Sequence, residues 1–239
     1  MSNLIIDEGN SRCKAYVFEN NAIVARESGS EISDELLFGL ANKHNVSKII
    51  STSTRRAEFA LPKEMQHISH VRLNAQTQLP ITIDYKTPET LGRDRIAAAV
   101  GAHSLLPETN VLIIDMGTAI TIDFVDNQAI YHGGIISPGA TMRARALNQF
   151  TRSLPLVELP ADSELTGKST NEALQFGILN GIRFEIEGYI SRYRHHYEGL
   201  QVIVTGGDAE LIDHKRVSIL FEPDLVAIGL NGILSNLNR

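Results

Sequence analysis

Short apolar runs separated by polar turn residues fill the beginning of the chain. Residues 3–27 contain the runs LIID, CKAYVF and AIVARE, with turns at 8–11 and 19–21. Runs of this length that are rich in β-branched residues and bounded by Asn, Gly or Ser are typical of strands. We therefore predict an antiparallel meander of three strands.

A helix and a fourth strand are predicted next. Residues 33–44 carry leucine and alanine at helical spacing, and Ser33 is suited to be the N-cap. Residues 48–51 form another short apolar run, which is typical of a strand. The first part of the chain is therefore predicted to have the order β-β-β-α-β.

The segment VLIIDMGTAITIDFV, residues 111–125, consists of two apolar runs on either side of an acid and a short turn. The run 111–114 is too short for a stable helix, and Gly117 with Thr118 supplies a tight turn after Asp115, so the segment is predicted to be a β-hairpin. The small residues of the turn let another group approach the backbone, and a carboxylate beside such a gap suits a cation or a metal-bound phosphate. An ordinary turn also explains Asp-x-Gly, so both interpretations stay open.

The hairpin has an earlier copy at an offset of 108 residues. Leu4, Ile5, Ile6, Asp7, Gly9 and Val17 align with Leu112, Ile113, Ile114, Asp115, Gly117 and Val125. The second copy continues with a predicted strand at 129–136 and a helix at 138–150 that has Pro138 near its first turn. Two halves that each present an acid beside a small-residue turn suit a site between two lobes, with one hairpin on each side of a phosphate chain. A duplicated core without such a site is the alternative.

The segment between the copies, residues 81–103, holds a further acid. A loop leads into an alanine-rich helix predicted over 95–103, with Asp94 at or near its N-cap. Arg93 and Arg95 flank this acid. A helix cap with an ion pair is the usual explanation of such an isolated pair, and the alternative is an acid aimed at a substrate hydroxyl beside an arginine that holds a carboxylate.

Glycine-rich blocks mark the second half. Gly133, Gly134 and Gly139 surround Pro138 and are able to turn backbone N–H groups and a helix start toward a phosphate. The block TGG at 205–207 ends a predicted strand and precedes a helix predicted to be capped by Asp208. Paired glycines at such a place admit a flat ligand against the backbone, or they simply make the turn.

A long helix is predicted from Ser169 or Thr170 to about Tyr197. Its apolar stripe is explained about equally well by a dimer contact and by burial within one chain. Gly177 and Gly181 weaken the helix locally, and we expect them to mark close packing of another backbone.

Composition narrows the class of protein. The chain has 22 Lys plus Arg against 28 Asp plus Glu, and this net charge of -6 argues against a nucleic-acid surface. The single cysteine, Cys13, excludes an internal disulfide and lies mid-strand, where packing explains it best. No apolar run approaches the ~20 residues of a membrane span, and the N-terminus lacks the pattern of a signal peptide. We expect a cytoplasmic protein that binds neither nucleic acid nor membrane.

Several motifs occur in a specific order. They are DEGNSRCK, a tyrosine followed by LGRDR, DMGTAITID, GGIISPGATMRARAL, TGKST before the long helix, and VTGG. In this combination the chain resembles the type III pantothenate kinases of the acetate and sugar kinase, Hsp70 and actin superfamily. The resemblance implies an α/β fold of two duplicated ribonuclease-H-like domains, each a mixed sheet with flanking helices, which we place at 1–110 and 111–239.

The resemblance also implies an activity. It is the ATP-dependent phosphorylation of pantothenate to 4'-phosphopantothenate, the first step of coenzyme A biosynthesis. The implied cofactors are ATP, magnesium and a monovalent cation, potassium or ammonium, and the implied assembly is a homodimer. Two alternatives stay open: a non-catalytic regulatory accessory protein of the same family, and a kinase of another small hydroxyl substrate.

Site residues carry over by position. The resemblance places the proton acceptor at Asp94, the monovalent cation at Asp115, and magnesium near Asp7. The implied ATP-binding positions are Asp7, Glu8, Gly9, Asn10, Ser11, Arg12, Cys13, Lys14, Thr118, Thr205, Gly206 and Gly207. The implied pantothenate-binding positions are Tyr85, Gly92, Arg93, Asp94, Arg95 and Thr170. Arg95 is a chemically suitable partner for the pantothenate carboxylate.

One residue departs from the family pattern. The first loop of the family usually reads D-x-G-N-T, and this chain has Ser11 in place of the threonine. Serine keeps the hydroxyl and loses the β-branch, so we expect the contact to be retained in a somewhat looser loop.

Overall fold

The chain divides into two compact units. The structure, a computed structural model, describes residues 2–55, 60–212 and 219–237. The first unit comprises Met1–Glu108, Gln128–His132 and Asp224–Arg239, and the second comprises Thr109–Asn127 and Gly133–Pro223. This division differs from the predicted domains 1–110 and 111–239, because the C-terminal segment returns to the first unit.

The first unit contains a five-stranded mixed sheet. Its strands are β1 (Ser2–Glu8), β2 (Cys13–Glu19), β3 (Ala22–Gly29), β4 (Val46–Ser53) and β5 (Ser69–Arg72). They lie in the order β3-β2-β1-β4-β5. The meander β1-β2-β3 is antiparallel as predicted, and β4 pairs in parallel with both β1 and β5. Helix α1 (Asp34–Lys43) connects β3 to β4, and the Ser33 hydroxyl accepts the N–H of Leu36 as the predicted N-cap.

Strand alternation gives this sheet two different faces. Leu4, Ile6 and Ile49 point toward α1 and form one apolar core with its leucines. Ile5 and Ile50 lie on the opposite face. That face packs against α2 (Arg93–Leu105) and the C-terminal helix α5 (Leu225–Asn236).

Helices α2 and α5 meet at backbone distance. A Cβ atom on Gly229 would overlap the carbonyl of Ala97, and one on Gly101 would overlap the carbonyl of Leu225. The start of α5 is also fixed to the sheet, because Arg26 donates from Nε at 2.9 Å and from Nη2 at 2.7 Å to Oδ2 of Asp224. These contacts hold α2 in a defined position on the sheet.

The second unit contains the same order of strands. They are β7 (Val111–Met116), β8 (Ala119–Val125), β9 (Ile130–Pro138), β10 (Gln201–Thr205) and β11 (Leu220–Phe221). The order β9-β8-β7-β10-β11 repeats β3-β2-β1-β4-β5. In both sheets the first hairpin is antiparallel and the next two pairings are parallel. In the first unit, the short strand β6 (Thr82–Ile83) pairs in parallel with the first residues of β9.

The two hairpins differ in length by one residue. Leu4 lies opposite Val17, whereas Leu112 lies opposite Phe124. Val125 therefore does not occupy the structural position of Val17, although the sequence alignment paired them. The acids Asp7 and Asp115 keep the same place, one residue before the end of their strands.

Helices α3 (Ala140–Gln149) and α4 (Thr170–His196) belong to the second unit. The prediction that Pro138 lies near the first turn of α3 is wrong, because Pro138 is the last residue of β9 and Gly139 is the N-cap. The N–H of Gly139 donates to the Thr118 carbonyl at 3.2 Å, which keeps it extended. The long helix was predicted well: the Ser169 hydroxyl accepts the N–H of Glu172 at its start.

Two smaller predictions differ from the described structure. Within the described part of this chain, Gly177 and Gly181 contact no other backbone: a Cβ on Gly177 would meet no atom within 4 Å, and one on Gly181 would meet the Arg143 guanidinium at 3.6 Å. Asp208, predicted to cap a helix, makes no side-chain cap, and the described residues that follow it form a 3-10 turn, Ala209–Leu211. Among the described helices, none combines the length and the apolar character that crossing a bilayer requires.

Candidate active site

The first phosphate-loop candidate is the turn between β1 and β2. Glu8 is buried and its Oε2 accepts the Ser53 hydroxyl at 2.6 Å, so it joins β1 to β4. Arg55 donates from Nε to the Asn10 carbonyl at 3.1 Å and from Nη1 to the Ser30 carbonyl at 2.8 Å. The end of β4 therefore shapes the loop. Glu8 therefore stabilises the sheet below the loop and is not exposed to a ligand.

Asp7 lies on the other face of β1, where strand alternation directs it toward α2. In the register of the sheet it lies between Lys14 on β2 and Thr52 on β4. Burial raises the pKa of Asp7 from 3.8 to about 6; the Lys14 ammonium opposes this increase, and the Asp94 carboxylate adds to it. Asp7, Lys14 and Asp94 are therefore close enough to interact electrostatically within the first unit.

Asp94 lies in the first turn of α2, and the N-cap is Gly92. The prediction that Asp94 is at or near the cap is thus off by two residues. Its Oδ1 accepts the N–H of Arg95 at 2.9 Å, and a Cβ on Gly92 would lie 2.5 Å from that oxygen. The glycine leaves room for the carboxylate, which is oriented by its own helix start.

The two flanking arginines have different surroundings. Arg95 is 7% exposed and so belongs to the interior of the first unit. Arg93 donates from Nη2 to the Glu89 carbonyl at 3.1 Å. Its Nη1 is buried and has no hydrogen-bond partner among residues 2–55, 60–212 and 219–237. Tyr85, another candidate of this unit, packs against Tyr131 with ring centroids 6.3 Å apart.

In the second unit, the TGG turn lies directly against Asp115. Gly206 has φ +94°, and a Cβ there would lie 2.5 Å from the Met116 carbonyl oxygen and 2.6 Å from Oδ1 of Asp115. The N–H of Asp208 donates to the Met116 carbonyl at 2.9 Å. Only glycine fits such a position, because an L-residue would be strained and would collide with backbone. Thr205 is buried, whereas a Cβ on Gly207 would meet open space.

The block that follows β9 contacts the same hairpin. A Cβ on Gly139 would lie 2.5 Å from the Thr118 carbonyl oxygen. Gly139 thus joins Asp115, Thr118 and Gly206 in one cluster of an acid and closely packed backbone, in which Thr118 is exposed. Gly134, also predicted to face a phosphate, has another role: a Cβ there would lie 2.5 Å from Oδ1 of Asp123, so it permits close approach of β8 and β9.

Thr170 lies apart from these glycines in the chain, as the first residue of α4, and is exposed. Ser11 and Arg12, together with residues 28–30, line a polar depression of the first unit. Cys13 is buried in the apolar core of the first unit, in agreement with its predicted packing role.

The segment STSTR at the end of β4 contains residues of the candidate site that were not predicted from the sequence. Ser53 and Arg55 organise the first loop, and Thr52 is the neighbour of Asp7. A signal was present, since hydroxyl residues follow directly on the predicted strand 48–51. The carboxyl ends of adjacent parallel strands meet at one sheet edge, so this segment belongs beside Asp7 once β1 and β4 are known to be parallel.

Several known proteins have sequences similar to that of this chain. The family model of type III pantothenate kinases matches residues 3–192. The chain belongs to the type III pantothenate kinase family. A type III pantothenate kinase from Cytophaga hutchinsonii is 42% identical over 234 residues, which cover 98% of both chains. Another from Phocaeicola vulgatus is 41% identical over 236 residues, again 98% of each chain.

Solved structures confirm the fold class. A protein classed provisionally as a Baf family transcriptional activator from Campylobacter jejuni matches with a TM-score of 0.63 and 20% identity, covering 99% of this chain and 100% of the other. A protein classed provisionally as a 2-dehydro-3-deoxygalactonokinase from Sinorhizobium meliloti matches with a TM-score of 0.59 and 14% identity, over 98% and 96% of the chains. The predicted pair of duplicated ribonuclease-H-like folds is therefore correct.

The raised pKa of Asp7 predicts a stability effect. Between pH 3.8 and about 6 the folded chain binds more protons at Asp7 than the unfolded chain, so the free energy of unfolding falls as pH rises through that window. Asp7→Asn removes the buried charge and should stabilise the fold at pH 8 by up to about 3 kcal/mol, at about 1.4 kcal/mol per pKa unit.

Urea unfolding of the wild type and the variant at pH 8 and at pH 3.5 measures this difference. The gain should be present at pH 8 and should vanish at pH 3.5, where both side chains are neutral. A variant less stable than the wild type at pH 8 would show that Asp7 is not penalised by burial.

Proposed function

We propose that the chain transfers the γ-phosphoryl group of ATP to pantothenate, forming 4'-phosphopantothenate for coenzyme A biosynthesis. The single observation that best supports this is the grouping of Asp7, Lys14 and Asp94 beside the β1–β2 loop, at the start of α2. Phosphoryl transfer needs orientation and charge neutralisation more than a strong base, and this group offers both.

Asp94 serves as the proton acceptor. Its carboxylate is oriented by the N–H of Arg95, and the positive end of the α2 dipole lies next to it. A weak base suffices for this step, because the substrate hydroxyl becomes acidic as its bond to phosphorus forms. Lys14, opposite Asp7, supplies positive charge near the transferred group.

In the first unit, pantothenate would contact Tyr85 and the run Gly92–Arg95. Thr170, at the start of α4 in the second unit, is proposed as a pantothenate contact from the family resemblance alone. Within that run, Arg93 is the residue with a buried N–H that still lacks a partner among the described residues. A guanidinium N–H of this kind suits a carboxylate or hydroxyl oxygen of the substrate. Arg95, which is buried, is better placed to hold the start of α2 than to meet a carboxylate from solvent.

Asp7, the acid at the end of β1 in the first unit, is suited to hold magnesium. No cluster of three or more His, Cys, Asp or Glu side chains able to hold a metal occurs among the described residues. Magnesium in kinases needs one or two carboxylates and takes its other ligands from phosphates and water. Asp7 would hold it, and the bound ion would neutralise charge on the phosphates.

Potassium or ammonium fits the acid of the second unit. The Asp115 carboxylate lies beside backbone at Met116 and Gly206, and oxygen atoms of this kind are the ligands that such cations prefer. Thr118 and the TGG turn would contact the nucleotide, with Gly207 leaving open space for a flat base. The β1–β2 loop, Gly9 to Arg12, would hold phosphates together with Lys14, whereas Glu8 supports the loop from within the sheet.

A homodimer is proposed from the outer face of α4. Phe184 is 58% exposed, Leu165 is 84% exposed, and with Phe176, Gly177 and Gly181 they line one groove. Small residues on one side of a helix permit close approach of a second helix, and contiguous exposed apolar groups of this size mark interaction sites. A second copy of α4 satisfies both features. A cytoplasmic location is proposed with it, consistent with a single, buried cysteine.

The first test is a coupled assay of ADP release with and without pantothenate. The proposed kinase releases ADP only when pantothenate is present. A kinase of another hydroxyl substrate would stay silent with pantothenate and respond to other acceptors, and a regulatory protein without turnover would respond to none.

Asp94→Asn should lower kcat by about 10² or more, the range for loss of a general base. The asparagine oxygen still accepts the Arg95 N–H, so the thermal midpoint and ATP binding should change little. Asp34→Asn, in the first turn of α1, is the matched control and should keep full turnover. Near-normal turnover in the Asp94 variant would remove it from the proton-transfer role.

Activity should depend on the monovalent cation. Initial rates at constant ionic strength should be several-fold higher in potassium or ammonium chloride than in sodium chloride, because the Asp115 site selects by ion size. Choline chloride keeps the ionic strength constant as the control. Equal rates in sodium and potassium would argue against a cation at Asp115.

Phe184→Glu should convert a dimer into a monomer, because it places a charge in the apolar groove. Sedimentation-velocity ultracentrifugation measures the mass. Val24→Glu, at an exposed apolar position on β3, is the control and should leave the mass unchanged. A monomeric wild type, or a dimeric Phe184 variant, would place the contact elsewhere or exclude it.

A further inference from the structure

Thr52 has a buried hydroxyl without a partner. Its side chain is 3% exposed, and Oγ1 makes no hydrogen bond to any of the residues that the structure describes. Its two neighbours on β4 are satisfied: Ser51 Oγ lies 2.7 Å from Nε2 of His70, and Ser53 Oγ donates to Glu8 at 2.6 Å. Leaving a hydroxyl buried and unpaired costs folding free energy that a valine of the same shape would avoid.

The hydroxyl lies beside Asp7. Lys14, Asp7 and Thr52 are register partners on β2, β1 and β4, so their side chains share the face that packs against α2. Ser51 and Ser53 lie on the opposite face. These three residues lie where β1 and β4 end, next to the β1–β2 loop.

The duplicated sheet has the same arrangement. Asp115 pairs with Thr205 on β10 as Asp7 pairs with Thr52 on β4, and both threonines are buried. Thr205 opens the TGG turn that is proposed to border the nucleotide. The position next to the strand-end acid is therefore occupied by a threonine in each copy.

We infer that Thr52 is a further phosphoryl-binding residue of this kinase: its hydroxyl donates a hydrogen bond to an oxygen of the transferred phosphoryl group. Phosphoryl oxygens are acceptors, and beside the acceptors Asp7 and Asp94 this row supplies two donors, Lys14 and Thr52. The bound nucleotide then gives the hydroxyl the partner that it lacks in the ligand-free chain. The inference rests on the proposed function and adds a binding group to it.

Thr52→Val is the decisive variant, because it keeps the shape and removes the hydroxyl. We expect its thermal midpoint to equal or exceed that of the wild type, whereas kcat falls about 10- to 100-fold, as for loss of a hydrogen bond to a charged group. KM for pantothenate should change by less than about twofold. The thermal shift produced by a non-hydrolysable ATP analogue should be smaller than in the wild type.

Two further variants complete the design. Thr52→Ser retains the hydroxyl and should recover most of the turnover, and Thr52→Ala lacks it; this pair gives the same comparison if the valine does not fold. Ser51→Ala, on the same strand and opposite face, should lower the thermal midpoint because His70 loses its partner, with kcat within about twofold of the wild type.

The outcomes are separable. A wild-type chain that does not phosphorylate pantothenate overturns the proposed function, whatever the variants do. An active wild type with Thr52→Val within twofold of it in kcat and with an equal nucleotide-induced thermal shift overturns the role of Thr52 alone.

Discussion

The burial of the Asp7 carboxylate is the constraint on which the first unit depends. Burial raises its pKa to about 6, so the fold holds at the end of β1 a charge that is unfavourable there without a ligand. Strand alternation places Glu8 on the opposite face, where Ser53 satisfies it. The two consecutive acids therefore have different roles: Glu8 supports the sheet through Ser53, and Asp7 keeps its carboxylate beside Lys14 on the face that packs against α2.

Placement of Asp94 near this carboxylate is a consequence of helix packing. Gly101 and Gly229 let α2 and α5 approach at backbone distance, and larger side chains there would displace α2 from the sheet. Since α5 comes from the C-terminus, the last residues of the chain fix the geometry of an acid near residue 94. Rigid support of this kind is what orientation-dependent phosphoryl transfer requires.

Local patterns predicted the strands, the capped helix α1, the hairpin at Asp115 and the long helix, because each is specified by residues close in sequence. Features set by tertiary contact were missed. Helix α2 begins ahead of Asp94 because Gly92, its N-cap, leaves room for the Asp94 carboxylate, and this depends on a contact that the sequence pattern does not show. Nothing in the sequence alone shows that α5 returns to the first unit. The place of Thr52 beside Asp7 was not predicted, because it depends on the parallel pairing of β1 with β4. The surroundings of Gly177 were not predicted, because the sequence does not show whether a glycine packs against a neighbour or lies open.

The two copies of the hairpin differ in length by one residue, and this difference gives Asp7 and Asp115 different surroundings. In the longer first hairpin Asp7 lies opposite Lys14, so its charge is opposed by a cation from the chain itself. In the shorter second hairpin Asp115 lies opposite Thr121 and next to the backbone of Gly206. The Asp7 carboxylate therefore faces a cation of the chain itself, whereas the Asp115 carboxylate is surrounded by small residues and backbone, so one repeated motif gives two acids with different electrostatic surroundings.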